Sequence, residues 1–226
     1  GVPLEASAAP AARSFDRAAL DGIQINLHAA ELLMSHTSSD EVSVAMTEIE
    51  VSPSCEIRVE TVGRTLVVEA RREGSVGRCR VDVRMAIPAG LPVHADVGAG
   101  EVTLGELATR LDLSLGAGDV RGSVEGNEVH VSSGAGDIEL YGLSAAVSAS
   151  TGTGNVHLRF ARAPAGTIEA SSGVGDVEVH LPVDTAADTS ASTGLGKVEQ
   201  GLTHLPGAAT VVRASTGLGN VQVDDA

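Results

Sequence analysis

The stretch SSGAGDIEL at residues 132–140 decides how this chain folds, because it is one of seven near-copies. VGAGEVTL stands at 97–104, SLGAGDVRG at 114–122, STGTGNVHL at 150–158, SSGVGDVEV at 171–179, STGLGKVEQ at 192–200 and STGLGNVQV at 215–223. The first glycine of each G-x-G falls at Gly98, Gly116, Gly134, Gly152, Gly173, Gly194 and Gly217, in steps of 18, 18, 18, 21, 21 and 23 residues. A period of this length is too short for a helix pair and suits one lap of a β-solenoid. The longer steps contain Ala/Pro/Asp-rich stretches such as ARAPAGT and PVDTAAD, which read as loops bulging from one corner. Laps stacked at strand spacing, ~4.8 Å, predict a stiff rod on the order of 35 Å long.

Aligned on the G-x-G, the strand before each corner points alternate residues inward, from Leu111, Leu113 and Leu115 through Val129, Val131 and Ser133 to Thr189, Ala191 and Thr193 and then Val212, Ala214 and Thr216. Small residues at the middle position, Ala149, Ala170, Ala191 and Ala214, predict a thin core. After the corner, Val120, Ile138, Leu140, Val156, Val177, Val198 and Val221 supply a second wall of stacking aliphatic side chains. The second glycines, Gly100, Gly118, Gly136, Gly154, Gly175, Gly196 and Gly219, complete the bend, where a Cβ obstructs either a positive φ or close backbone approach. Ser133, Thr151, Ser172, Thr193 and Thr216 precede the corners, where a hydroxyl can satisfy a turn amide that has no ladder partner. Ser114, Ser132, Ser150, Ser171, Ser192 and Ser215 form an outward column, read as a solvated ladder.

Upstream the grammar differs. Residues 16–92 alternate with period two, as in Ile23, Ile25, Leu27 and in Val42, Val44, Met46, which predicts half-buried strands. RVETVGRTLVVEA breaks at Gly63 and Arg64 like a hairpin, and VDVRMAIP at 81–88 continues the meander until Pro88 and Pro92. RAALDG at 17–22 is too short to stand as a helix. Cys55 and Cys79 open the strand-like runs on either side of TLVVEA, so a disulfide between them and a pair of buried thiols are both open. Gly1 and the stretch VPLEASAAPAARS resemble a flexible stalk left by a removed signal or tag, which favours an envelope, periplasmic or extracellular location over the cytoplasm. The chain divides into a flexible segment at 1–15, a meander or first laps at 16–92 and the seven-copy solenoid at 93–226, all one continuous domain.

Composition excludes several functions. Across 226 residues, 15 Lys and Arg stand against 30 Asp and Glu, and a net charge of −15 argues against nucleic acid as a partner. No run approaches the ~18 apolar residues of a membrane-spanning helix. The only aromatics are Phe15, Phe160 and Tyr141, too few for platforms that stack sugars or bases.

The repeated polar positions are where chemistry could reside. Glu101, Asp119, Asp137, Asn155, Asp176, Lys197 and Asn220 follow the G-x-G. Stacked acids at ~5 Å repel, and calcium held by Asp119, Asp137 and Asp176 is one way to offset this. An Asx turn accounts for Asp and Asn equally well, and Asn155, Lys197 and Asn220 interrupt any metal column. A second acidic stripe, Glu139, Glu178 and Glu199, faces outward without the enclosed, raised-pKa acid that glycoside hydrolysis needs. The seven histidines show no metal-ligand spacing, and no G-x-S-x-G elbow occurs. Neither a cofactor nor catalysis is expected.

SSGAGDIEL, STGTGNVHL and SSGVGDVEV, with the preceding GRTLVVEA and the join VRMAIPAGLPVHADVGAGEV, resemble the bacterial "putative adhesin" β-strand-repeat proteins, which are related to the head domain of autotransporter adhesins. The likeness runs from about residue 20 to 224. It implies a strand meander leading through a Pro-containing join into S-G-x-G-D-[IV] laps, and it brings no catalytic residues. Lys197 and the longer corner loops after residue 158 depart from the pattern.

The expected fold is therefore all-β, a single-stranded β-helix or β-solenoid, right-handed by the crossover rule, with an N-terminal meander or cap. Its last strand, VQVDDA, is expected at an exposed edge guarded by Asp224 and Asp225. The function that follows is an exported or envelope-associated scaffold offering a rigid face to a protein or cell-surface partner. The alternatives are end-to-end self-association, as in bactofilin-like filaments, and a calcium-binding module.

Overall fold

The computed structural model describes residues 12–74, 77–126, 128–144 and 146–225. Of the N-terminal stretch at 1–15, residues 1–11 lie outside the described residues, and Arg13–Asp16 form strand β1. A three-residue 3-10 turn, Arg17–Ala19, follows, capped where Asp16 Oδ1 accepts the Ala18 N–H at 2.9 Å. Then come β2 (Gly22–Thr37), β3 (Glu41–Val51), β4 (Cys55–Val62), β5 (Thr65–Arg72), β6 (Cys79–Pro88) and β7 (Val93–Leu107). The repeats supply β8 (Leu111–Ala117) and β9 (Val120–Val124), β10 (Glu128–Ala135) and β11 (Ile138–Leu143), β12 (Ala146–Thr153) and β13 (Val156–Phe160), and β14 (Gly166–Val174) and β15 (Val177–Leu181). The last laps are β16 (Ala186–Leu195) with β17 (Val198–Gln200), the short β18 (Thr203–His204), and β19 (Thr210–Leu218) with β20 (Val221–Asp225).

The architecture is an all-β solenoid. Each lap lies parallel on the next with equivalent residues in register, as in Val120, Ile138, Val156 and Val177, or Leu113, Val131, Ala149 and Ala170. The alternate, inward positions of both walls close into one core, with Val129, Val131, Ile138 and Leu140 all buried. Stacked at ~4.8 Å, nine parallel layers make a column on the order of 40 Å long.

Chain order and stacking order part company at both ends. β2 is a whole lap in one strand, lying between β7 on one side and β5 with β6 on the other, parallel to all three. β3 and β4 then run antiparallel over β6 and β5, and β1 adds antiparallel to β3. The 16–92 region is thus a cap and two laps, with β4 and β5 paired as a hairpin around Gly63 and Arg64. Cys55 and Cys79 are joined by a disulfide, Cα atoms 5.2 Å apart, which ties the start of β4 to the start of β6.

At the other end, β19 and β20 insert between β14/β15 and β16/β17. The open edge therefore belongs to β16 and β17, and Val221–Val223 are paired on both sides, with Asp224 and Asp225 paired to β15 alone, correcting the expectation that the last strand forms the exposed edge. Burial explains the exchange. The lap that goes inside carries Val212, Val221 and Val223, all buried, while the outer lap offers Thr189, Val198 and Gln200 at the matching positions, with Val198 40% exposed. The longest step in the repeat, 23 residues, is the stretch that climbs back across the terminal lap.

Candidate functional site

The corner is built from two ladders of hydrogen bonds that run from lap to lap. In the first, the hydroxyl before each corner donates to the carbonyl of the second glycine in the neighbouring lap: Thr151 to Gly136 at 2.9 Å, Ser172 to Gly154 at 2.7 Å, Thr216 to Gly175 at 2.7 Å and Thr193 to Gly219 at 2.8 Å. These hydroxyls satisfy carbonyls, not the turn amides expected from sequence. In the second, Asp119 Oδ1 accepts the Asp137 N–H at 2.9 Å, Asp137 that of Asn155 at 2.7 Å, Asn155 that of Asp176 at 2.8 Å, Asp176 that of Asn220 at 2.6 Å and Asn220 that of Lys197 at 3.1 Å. The Asx side chains reach across laps instead of closing turns within one. Lys197 ends the series because its ammonium only donates and it lies in the outermost lap.

Asp and Asn serve equally in this ladder, so Asn155 and Asn220 separate the later carboxylates; Glu101, Asp119 and Asp137 stand consecutively, and Arg121 lies 3.5 Å from Glu101 and 2.7 Å from Asp119. The two corner glycines meet different demands. Gly136 has φ +136°, and a Cβ there would also lie 2.0 Å from the Gly118 carbonyl oxygen. Gly134 is constrained by approach alone, its Cβ falling 2.4 Å from the Gly116 oxygen. The stack of first glycines accordingly has no side chains on its outer surface.

That stack is the floor of a shallow trough along the outside of the first wall. One bank is the serine column, where Ser132 Oγ donates to Ser114 Oγ at 3.3 Å. The other is the residue between the glycines, which grows from Ala117 and Ala135 through Thr153 and Val174 to Leu218 and Leu195, the last 71% exposed. The floor stops at His28, on whose backbone Gly98 packs, and then at Arg71, next after Ala70, the partner of Leu27. Side chains rise there where the glycines leave none, and they border an open depression of about 760 Å³.

A family-wide sequence profile described as Toastrack DUF4097 matches residues 23–217. The chain belongs to this family. Among solved structures, a Clostridium sporogenes protein described as a "putative cell adhesion protein" is 17% identical with a TM-score of 0.44, covering 96% of this chain and 100% of that one. A Bacteroides fragilis "putative adhesin" is 16% identical at 0.46 over 96% and 98%, and a Parabacteroides distasonis "putative lipid binding protein" 15% at 0.39 over 97% and 98%. Likeness at this level carries no functional weight. No curated protein matches the chain significantly in sequence.

On the second wall of this Toastrack solenoid, the acidic stripe Glu139, Glu178 and Glu199 shares one column with Arg121, His157 and Gln222, which alternate with the acids. The fold also gathers two histidines that spacing kept apart. His157 Nε2 and His180 Nε2 lie 3.5 and 3.6 Å from Glu178 Oε2, and His180 Nδ1 meets Asp224 Oδ1 at 2.5 Å. Among the described residues no group of three or more His, Cys, Asp and Glu is arranged to hold a metal ion. On the first wall His94 bridges Asp96 and Asp112, both at 3.2 Å. Next to it, the His130 ring, and then the Arg110 guanidinium, hold the Glu128 carboxyl below the usual carboxylate range. Among the described residues no helix is long and apolar enough to cross a membrane.

Proposed function

We propose that this chain is a non-enzymatic, exported or envelope-associated scaffold that offers the outer face of its first wall to a protein or cell-surface partner. The trough carries this reading. Its glycine floor and serine bank repeat at strand spacing over successive laps, whereas the repeated polar groups of the corner are consumed in binding one lap to the next. Such an array suits an extended partner that meets equivalent positions in turn. The resemblance of the S-G-x-G-D-[IV] laps to the head domains of autotransporter adhesins favours the same reading.

The test is retention of labelled chain on a panel of isolated envelope polysaccharides and surface proteins, compared with the Ser132→Arg/Ser150→Arg variant. Two long charged side chains then stand in the serine column without entering the core. Binding by the native chain and its loss in the variant are expected. Retention indifferent to the variant, or turnover of a polysaccharide, overturns the reading.

End-to-end association is the second reading, supported by the open β16 edge, whose Leu195 and neighbouring Val198 are exposed. The antiparallel β3 and β4 close the opposite end, so continuous parallel stacking into filaments has no second surface to use. Light scattering over a concentration series is then expected to stop at a dimer. Calcium at Asp119, Asp137 and Asp176 is not needed to offset repulsion, since each Oδ1 already accepts an amide hydrogen.

A further inference from the structure

The closed end of the trough differs chemically from the rest of it. Four charged side chains line the cavity: Glu69, Arg71, Arg72 and Asp96. Glu69 lies 3.4 Å from Arg71, and Asp96 lies 3.2 Å from His94, so three of the four have a counterpart. Arg72 has none among the described residues. Its Nε is shut off from solvent and makes no hydrogen bond, one of two such side-chain atoms among the described residues. Nε is closed to a ligand oxygen as it is to water, so an oxyanion in the cavity meets the terminal guanidinium nitrogens, which have no carboxylate partner among the described residues.

The surroundings limit what that ligand is. A guanidinium recognises carboxylate and phosphate oxygens through paired donors, so the complementary group is an oxyanion. One unpaired guanidinium on a chain of net charge −15 suits a single anionic group and repels a polyanion. The floor strands β7 and β8 are paired with neighbours on both sides, so a peptide laid in the trough finds no free strand edge to hydrogen-bond. Hydroxyls of the serine column are available instead, beginning at Ser114 on the cavity wall. His28 and Arg71 take the place of glycine at this end of the floor, which suits the end of an occupant better than its middle.

We infer that this cavity binds one terminal oxyanion, a carboxylate or a phosphate, on an extended hydroxyl-rich ligand of the neutral-glycan type, held by hydrogen bonds to the serine column in place of ring stacking. The inference rests on the reading of this face as the binding face and assigns Arg72 as the residue that takes the anion.

The experiment titrates cellotetraose, the same chain oxidised to a uronate at its terminal C6, and the same chain carrying a terminal 6-phosphate, into the native chain by calorimetry. The variants are Arg72→Ala, Arg72→Lys and, outside the cavity, Arg80→Ala, each checked for an unchanged melting midpoint. At least one acidic tetrasaccharide is expected to bind tenfold or more tightly than the neutral one. Arg72→Ala removes that preference, Arg72→Lys keeps part of it and Arg80→Ala leaves it intact. The tighter of the two acidic probes identifies the anion as sugar acid or phosphate. Equal binding of acidic and neutral chains, an unaltered Arg72→Ala variant, or no binding by either acidic chain at 10-millimolar levels overturns the inference. If it fails while Ser132→Arg/Ser150→Arg still abolishes retention on envelope material, the binding face stands and only the anion site falls.

Discussion

Asp176 Oδ1 accepts the backbone N–H of Asn220 at 2.6 Å, although Lys197 occupies the equivalent position in the next copy along the chain. The Lys197 amide is held in turn by Asn220 at 3.1 Å, so the corner ladder runs 176, 220, 197. The lap with the more apolar interior is thereby covered on both sides. Hydrogen exchange reads this order directly. Peptides from 210–225 are expected to exchange more slowly than peptides from 186–200, because terminal laps open at lower free-energy cost than interior ones. Stacking in chain order predicts the reverse ranking.

The corner glycines separate two kinds of substitution. Gly136→Ala places a Cβ 2.0 Å from the Gly118 oxygen and forces a side chain into φ +136°, and neither neighbour can move without breaking the lap register. Gly63, in the β4–β5 turn, has φ +61° and open space around it. Gly63→Ala is expected to cost about 1 kcal/mol, whereas Gly136→Ala costs upwards of about 3 kcal/mol or prevents folding. Denaturant midpoints of the two variants decide it, and equal losses contradict the close stacking.

The two ladders predict which chemistry each position tolerates. Asp137→Asn keeps the acceptor for the Asn155 amide and is expected to stay within about 0.5 kcal/mol of the native chain. Asp137→Ala strands that amide and costs about 1–2 kcal/mol. Thr151→Val keeps the volume but removes the donor to the Gly136 carbonyl, with a loss of the same order, about 1–2 kcal/mol. Thermal melts of the three variants test the ladders, and an Asp137→Ala chain as stable as Asp137→Asn removes the second one.

The lap, its corner and its inward residues were legible because strand alternation and glycine spacing are local properties, repeated often enough for Val129, Val131, Ile138 and Leu140 to fall unambiguously inward. Which lap lies against which was not, since each copy specifies a shape and not a neighbour. One signal existed: Thr189 and Gln200 occupy inward positions where Val212 and Val223 stand in the following copy, marking the polar lap as the one with an open side. The serine bank of the trough was visible as a column. Its closed end was not, because Arg71 and Arg72 come from β5, outside the repeat, and reach the trough only through the parallel pairing of β5 with β2. The direction of the corner hydrogen bonds, lap to lap, also required neighbours that sequence does not name.

The disulfide closes a loop of 24 residues of sequence separation and clamps the cap across β5. Loop-closure entropy gives it about 3 kcal/mol. Cys55→Ser/Cys79→Ser is expected to lower the melting midpoint and to speed hydrogen exchange in β3 and β4 before the repeats. Loss of protection spread evenly along the column would contradict a role confined to the cap.

Arg64 Nε donates to Asp21 Oδ2 at 2.8 Å, joining the β4–β5 turn to the approach of β2. That hydrogen bond, reinforced by the guanidinium charge, holds the Asp21 carboxyl below its usual range, and the same pairing raises Arg64 above its own. A carboxyl depressed by folding stabilises the native chain at pH values above its unfolded pKa, about 3.9. The contribution drains away as pH falls through that value and then through the lower native one. Asp21→Asn is therefore expected to melt below the native chain at pH 7 by a small margin, since both partners are exposed and solvent screens them. The gap persists down to about pH 5 and closes below about pH 4. Arg64 stays protonated throughout, so the closing reports Asp21 alone. A difference in midpoint that stays constant from pH 7 to pH 3, or widens on acidification, has the wrong sign for this pair and would assign the variant's effect to the turn geometry.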